Sequence, residues 1–186
     1  MSNEPTPADR LAQLFHHRWA VPILAELHRW SGSRFVALHH RLGIGRESLR
    51  RTLASLIDQG LVARNPGYGH PLRPEYVLTA QGAAIAPACA ELMQALDALG
   101  ISSIGLNKWS MPVVAALDTA GSSRFAQLRE SLPPVSPRAL TLALKALADA
   151  GLVERNVVDS FPPTAVYTLA GNADAISPPL RTLSAA

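Results

Sequence analysis

The 186-residue chain carries one pattern twice, and this internal repeat restricts its fold more than any other feature of the sequence. The segment RWAVPILAEL, which begins at Arg18, returns as KWSMPVVAAL from Lys108. The segment GLVARN at 60–65 returns as GLVERN at 151–156, after the insertion of one residue. We therefore predict two copies of one domain, at 10–82 and 103–175, together with a flexible N-terminus over 1–9, a connecting helix over 83–102 and a C-terminal tail over 176–186.

The sequence of each copy predicts two helices, a tight turn, a third helix and a β-hairpin. In the third helix of copy one, Leu49, Leu53 and Leu56 follow the spacing of a single buried helical stripe. The runs LVARN and EYVLT flank a segment rich in Gly and Pro, which is typical of a hairpin. The chain is therefore predicted to be mainly α with small β-hairpin wings, as two winged helix-turn-helix domains in tandem.

Local residues indicate where these helices begin and end. Ser33 and Ser123 are candidate N-caps of the second helix in each copy, and Ser136, which precedes a proline, is a candidate N-cap of the third helix in copy two. Gly60 and Gly151 are predicted to end the third helices in a left-handed conformation.

The ordered motifs resemble those of the HxlR-type winged-helix transcription regulators, and the resemblance covers both copies. In copy one the matching motifs are Arg18-Trp19, Arg34-Phe35, Gly43-Ile44-Gly45, Gly60 to Arg64 and Pro74 to Thr79. In copy two they are Lys108-Trp109, Arg124-Phe125, Val135-Ser136-Pro137, Gly151 to Arg155 and Tyr167 to Leu169. The resemblance implies a non-enzymatic transcription regulator, a repressor by analogy, that binds double-stranded DNA. Relatives usually hold one such domain and act as dimers, so this chain is expected to be a monomeric pseudo-dimer or a homodimer.

The two copies differ in charge, which predicts unequal roles. Residues 10–86 hold ten Arg or Lys against four Asp or Glu, a net charge of +6, whereas residues 101–186 hold seven against six, a net charge of +1. We expect copy one to be the main DNA reader, because cations on the third helix and the wing face the phosphates. The predicted DNA-contacting residues are Arg34, Arg46, Ser48, Arg50, Arg51, Ser55, His70, Arg73, Arg138 and Lys145.

The remaining reactive or aromatic residues support weaker alternatives. The six histidines lack the spacing of a helical zinc site, so we predict no metal and no cofactor. Cys89 lies in an apolar helical stripe that joins the copies and is expected to be buried. Trp19, Trp30 and Trp109 are expected to pack in the core, or alternatively to line a small-molecule pocket between the copies.

Three functional hypotheses follow. The first is a DNA-binding transcription regulator that a small-molecule effector could control. The second is a drug- or metabolite-binding protein on a winged-helix scaffold with reduced DNA binding. The third, a DNA-repair enzyme, ranks last because no residue can be assigned to the chemistry. The sequence also lacks an apolar run of membrane-spanning length and a signal peptide, so a cytoplasmic protein is expected, without a membrane partner.

Overall fold

The computed structural model describes residues 6–65, 75–158 and 164–185. Copy one contains, in chain order, α1 (Pro7–Leu14), α2 (Ala20–Trp30), β1 (Ser33–Arg34), α3 (Phe35–Leu42), α4 (Arg46–Asp58), β2 (Val62–Asn65), β3 (Glu75–Leu78) and α5 (Ala80–Ala98).

Copy two repeats this order. It contains α6 (Ser102–Gly105), α7 (Ser110–Ala120), β4 (Ser122–Arg124), α8 (Phe125–Ser131), α9 (Pro137–Asp149), β5 (Val153–Val158), β6 (Thr164–Leu169), a 3-10 helix (Gly171–Ala175) and α10 (Ser177–Ala185). The predicted fold class, mainly helical with small antiparallel wings, is therefore confirmed.

Each copy has a three-stranded antiparallel sheet in which a short strand joins the predicted hairpin. The strand orders are β1-β3-β2 and β4-β6-β5. Ser33 pairs with Tyr76, and the corresponding Ser123 pairs with Tyr167. The prediction that these serines cap the following helices was wrong. Both are buried strand residues, and the helices begin one residue after Arg34 and Arg124, which act as N-caps.

The predicted ends of the third helices are confirmed. Gly60 and Gly151 have positive φ values of 70° and 68°. The amide of Gly60 donates to the carbonyl of Ile57 at 2.9 Å, and the next amide donates to the carbonyl of Leu56. These two bonds satisfy carbonyl groups that the helix leaves without partners. At the start of α9, the Ser136 hydroxyl accepts a hydrogen bond from the backbone amide of Ala139 at 3.2 Å, as expected of an N-cap.

The leucine stripe of each third helix is buried, which leaves the opposite face of the helix to solvent. In α4 the stripe consists of Leu49, Leu53 and Leu56, none more than 2% exposed. The equivalent residues of α9 are buried in the same way: Leu140, Leu144 and Leu147. Because these side chains join the main core, each third helix presents its opposite face outward in a defined direction.

The connecting helix α5 begins earlier than the sequence indicated. Thr79 acts as its N-cap by accepting a hydrogen bond from the amide of Gly82 at 3.0 Å, so the first turn lies against the end of β3. Farther along, Cys89 is buried, as predicted, together with Ile85 and Leu92. Burial raises the pKa of the Cys89 thiol to about 12, so this thiol stays protonated at neutral pH.

The two copies pack against each other through their outer helices. Helix α1 contacts α7 and α10, and α10 contacts α5. In both contacts the first helix of one copy meets the last helix of the other: α1 contacts α10, and α6 contacts α5. This is the arrangement expected of two like units related by pseudo-symmetry. Arg10 reinforces this contact by donating to the carbonyl oxygens of Ser184 and Ala185 at 3.2 and 3.1 Å. Intramolecular contact between the copies, which the sequence predicts, is therefore present.

Within the described residues, every helix is too short or too polar to cross a lipid bilayer.

Candidate DNA-binding surface

The outward face of α4 carries the arginines that the sequence predicts to contact DNA. Arg46 begins the helix directly after the turn at Gly45 and is exposed. The side chains of Arg50 and Arg51 are 71% and 67% exposed. Ser48 and Ser55 are half-buried at the edges of this face. The structure therefore places the three predicted arginines on the exposed part of α4 and the two serines at its edges, where the Ser55 hydroxyl already accepts a hydrogen bond from Gln59 at 2.9 Å.

Glu47 lies among these arginines and was not predicted to matter. Its carboxylate lies 2.7 Å from Nη1 of Arg50 and 3.6 Å from Nε of Arg51. Both pairs span one helical turn, at i,i+3 and i,i+4, so the spacing in the sequence was a usable signal. Such exposed ion pairs contribute little stability. The carboxylate also competes with any anionic ligand for both guanidinium groups.

Arg34 occupies a different part of the domain, at the edge of the sheet. Its Nε lies 3.2 Å from Oε1 of Glu75, which is the first residue of β3. Both side chains are about half exposed, so water screens the pair strongly. A phosphate group could therefore replace the carboxylate at small cost. The structure does not place Arg34 on the α4 surface but beside β3, the strand that follows the wing segment in the chain.

The predicted wing contacts His70 and Arg73 lie outside the described residues, and their role stays a prediction. The flanking strands are described: β2 pairs with β3 from Val62 to Asn65, and β5 pairs with β6 over six residues.

The equivalent face of copy two is less basic and more apolar. Arg138 and Lys145 are exposed on α9. Between them, the Thr141 hydroxyl donates to the carbonyl of Pro137 at 2.8 Å, and Leu142 is 58% exposed. On β5, Val157 and Val158 are also exposed. An apolar surface gains little from facing a phosphate backbone. The two copies therefore have the same fold but chemically different side chains at equivalent positions of the third helix.

The three tryptophans lie in different surroundings. Trp19 and Trp109 are half-buried at the N-termini of α2 and α7 and pack against the core. Trp30 is 52% exposed, and the guanidinium carbon of Arg41 lies 4.3 Å from its ring centroid. An exposed ring that stacks on an arginine does not wall an enclosed pocket. A cation therefore lies over each of the three rings, and only Trp19 also borders a cleft where the two copies meet.

A separate cavity of about 420 Å³ lies between α1, α7, α8 and α10. Its wall includes small residues such as Ala115 and Ala116 together with one ion pair. In that pair, Nε and Nη2 of Arg181 lie 2.6 and 2.8 Å from the two carboxylate oxygens of Asp118. The hydrogen bonds from Arg181 hold the pKa of the Asp118 carboxyl below its ordinary value. The cavity therefore combines a mostly apolar wall with a fixed pair of opposite charges.

Across the described parts of the chain, no three His, Cys, Asp or Glu side chains are arranged so that they could hold a metal ion. His39, one of the six histidines, instead contacts the carbonyl of Ile44 through Nδ1 at 2.6 Å and so fixes the turn before α4.

Comparison with known proteins gives a consistent result. The model of the HxlR-like helix-turn-helix family matches twice, over residues 14–100 and 104–185. An uncharacterized HTH-type transcriptional regulator from Synechocystis sp. is 38% identical over 74 residues, which are 40% of this chain and 54% of that relative. A second such regulator, from Methanothermobacter thermautotrophicus, is 31% identical over 46% of this chain and 63% of its own length. This chain therefore spans little more than half the length of these two relatives.

Two further proteins, both from Bacillus subtilis, are similar to this chain. The uncharacterized HTH-type transcriptional regulator YvaP is 31% identical over 96 residues, which are 52% of this chain and 82% of that relative. The reduced form of the transcriptional regulator YodB is 28% identical, with a TM-score of 0.40, over 45% of this chain and 80% of YodB. Since the family model accounts for both copies and for most of the sequence, the chain belongs to the HxlR-like helix-turn-helix family and carries two family domains in one polypeptide.

Proposed function

We propose that this protein is a cytoplasmic DNA-binding transcription regulator, acting as a repressor, that reads double-stranded DNA mainly through α4. The exposed arginine face of α4 carries this proposal. Arg46, Arg50 and Arg51 project from one side of a helix whose other side is buried. An α-helix fits the major groove, and arginine is the side chain best suited to guanine edges and phosphates.

The role of copy two follows from its different surface. In place of Arg50 and Arg51, copy two has Thr141 and Leu142. Its contribution to DNA binding is then weak and limited to Arg138 and Lys145. The intramolecular contact between the copies supports a monomer that acts as a pseudo-dimer, with one strong and one weak reading helix.

Selection of bound fragments from random duplex DNA, together with mass measurement in solution, tests this proposal. Unlike side chains cannot read identical half-sites, so a monomer should select an asymmetric site with strong base preference on one side only. A homodimer should instead select a palindrome built from two strong half-sites. Absence of enrichment at any salt concentration would exclude sequence-specific DNA binding.

A second candidate function is the binding of a small-molecule effector, and the cavity beside Asp118 and Arg181 favours it. Its volume of about 420 Å³ lies within the range of small-molecule pockets. A ligand there would touch α1 and α10, which join the copies, and so could change their relative position. Thermal denaturation of the full chain against a metabolite collection tests this candidate, with Ala116→Phe as the variant that fills the cavity. A ligand that raises the melting temperature of both proteins equally binds elsewhere.

A further inference from the structure

A basic cleft lies where the two copies meet, beside the α4 surface. Its volume is about 300 Å³, and it is bounded by the turn before α2, the turn before α7 and one side of α4. The two turns are equivalent in the repeat: Arg18 of copy one aligns with Lys108 of copy two, and each precedes a tryptophan. Both copies therefore contribute to one site near the centre of the molecule.

The side chains around this cleft are strongly biased toward positive charge. His16, His17, Arg18, Arg51 and Lys108 all line it, and its described wall contains no Asp or Glu. Three of these residues, Arg18, Arg51 and Lys108, are cationic at neutral pH. The like charges repel one another, and an anion in the cleft would offset that repulsion.

The contacts of these cations leave most of their charge uncompensated. The Arg18 guanidinium carbon lies 5.4 Å from the ring centroid of Trp19, and the Lys108 ammonium lies 5.1 Å from that of Trp109. Stacking on a neutral ring positions a cation without cancelling its charge. Arg51 contacts Glu47 only at 3.6 Å, and that contact is exposed. Each cation is therefore available for a further ligand.

The lowered pKa of His17 is consistent with the positive charge around the cleft. Burial lowers the pKa of His17 below its ordinary value of 6.5, and the charges of His16 and Arg51 lower it further. The surroundings of the cleft thus oppose one more positive charge. An anion placed there would have the opposite effect and would favour protonated His17.

We propose that this cleft is an anion site that takes one phosphate group, held jointly by Arg18 and Arg51 of copy one and Lys108 of copy two. Ser48 and Asn107 add neutral hydrogen-bonding groups to the same wall. The phosphate can come from the DNA backbone or from a free phosphate compound. The position of Arg51, shared by the cleft and the α4 surface, favours the DNA backbone. In that form the inference rests on the proposed DNA-binding function.

The site gives copy two a defined part in binding that its own third helix does not provide. Lys108 would hold a phosphate near the centre of the bound DNA, on the junction between the strong and weak reading helices. This contact carries no base preference, because phosphates are alike in every sequence. It would instead set the position of α4 along the duplex.

The first arm of the test measures binding of the full chain to a random-sequence duplex, by fluorescence anisotropy, over a range of salt concentrations. Loss of one phosphate contact lowers the slope of log K against log salt by about 0.9, which is about eightfold weaker binding at 0.1 M salt. We expect this change in Lys108→Gln, and we expect Lys108→Arg to restore the slope. The control Arg29→Gln removes an exposed charge at the end of α2, beside α5, and should leave the slope unchanged.

The second arm titrates inorganic phosphate into the DNA-free protein at constant ionic strength, with the histidine ring signals followed by NMR. A saturable shift of the His17 signal that is lost in Lys108→Gln would identify free phosphate as a ligand. A change in the DNA arm alone would assign the cleft to the backbone. If neither response depends on Lys108, the anion site is excluded. If the wild-type chain binds no DNA at all, the proposed function fails, and the phosphate arm still decides the cleft.

Discussion

Replacing Arg50 and Arg51 together by Ala tests whether the α4 surface reads DNA. Both guanidinium groups are about two-thirds exposed and contact only Glu47 among the ion pairs of the described chain. If each arginine meets one phosphate, the double variant loses two contacts, and the slope of log K against log salt falls by about 1.8. At 0.1 M salt this corresponds to about 60-fold weaker binding, or about 2.4 kcal/mol. If one arginine reads guanine instead, base preference at that position relaxes by about 1–3 kcal/mol.

The fold should survive this change, which makes the binding loss interpretable. Exposed ion pairs one helical turn apart contribute about 0.3–0.5 kcal/mol each, so the free energy of unfolding should change by less than about 1 kcal/mol. Urea denaturation checks this directly. The matched control in copy two is Thr141→Ala combined with Lys145→Ala, at exposed positions of α9. Equal losses in the two double variants would refute the reasoning, because they would show that both copies share the reading.

Three further predictions concern neighbouring features. Glu47→Gln should strengthen binding to random duplex in the same anisotropy assay, because it removes the carboxylate that contacts two reading arginines, and weaker binding would mean that Glu47 positions them for DNA. Gly82→Ala should destabilise the fold by about 1–3 kcal/mol in urea denaturation, since its Cβ would lie 1.9 Å from the carbonyl oxygen of Leu61, whereas Gly171→Ala meets nothing within 4 Å and should be nearly neutral. The free energy of unfolding should fall as the pH drops below about 7 toward the folded-state pKa of His17. The reason is that this pKa lies below the unfolded value of 6.5, so unfolding takes up a proton in that range. His17→Gln should remove this part of the pH dependence, and an unchanged pH profile in the variant would contradict the prediction.

The repeat and the helix pattern were predictable because both depend on local chemistry. Apolar residues at helical spacing need one buried face wherever they occur, so the stripe from Leu49 to Leu56 predicted α4 correctly. The glycine at position 60 predicted the end of that helix for an equally local reason, since its positive φ is favourable without a side chain. The same patterns, present twice in one order, were sufficient to predict two winged helices.

The third strand of each sheet was not predictable from local pattern. β1 has only two residues, and its pairing with β3 joins Ser33 to a partner more than forty positions away in the chain. The same pairing places Arg34 beside Glu75, a contact that neither segment indicates alone. A short strand exists only because its partner supplies the hydrogen bonds, and the local preference of a serine for helix capping was overridden by that pairing.

The basic cleft also depends on tertiary structure, because its residues come from segments that are far apart in the chain. The sequence shows Arg18, Arg51 and Lys108 as three separate basic positions, and each alone is compatible with an ordinary solvated surface. Packing of α1 and α10 between the copies brings the two equivalent turns together and places α4 beside them. Local sequence determines which element each residue joins. Which charges share one site depends on burial of the apolar helix faces, and only the folded chain sets that arrangement.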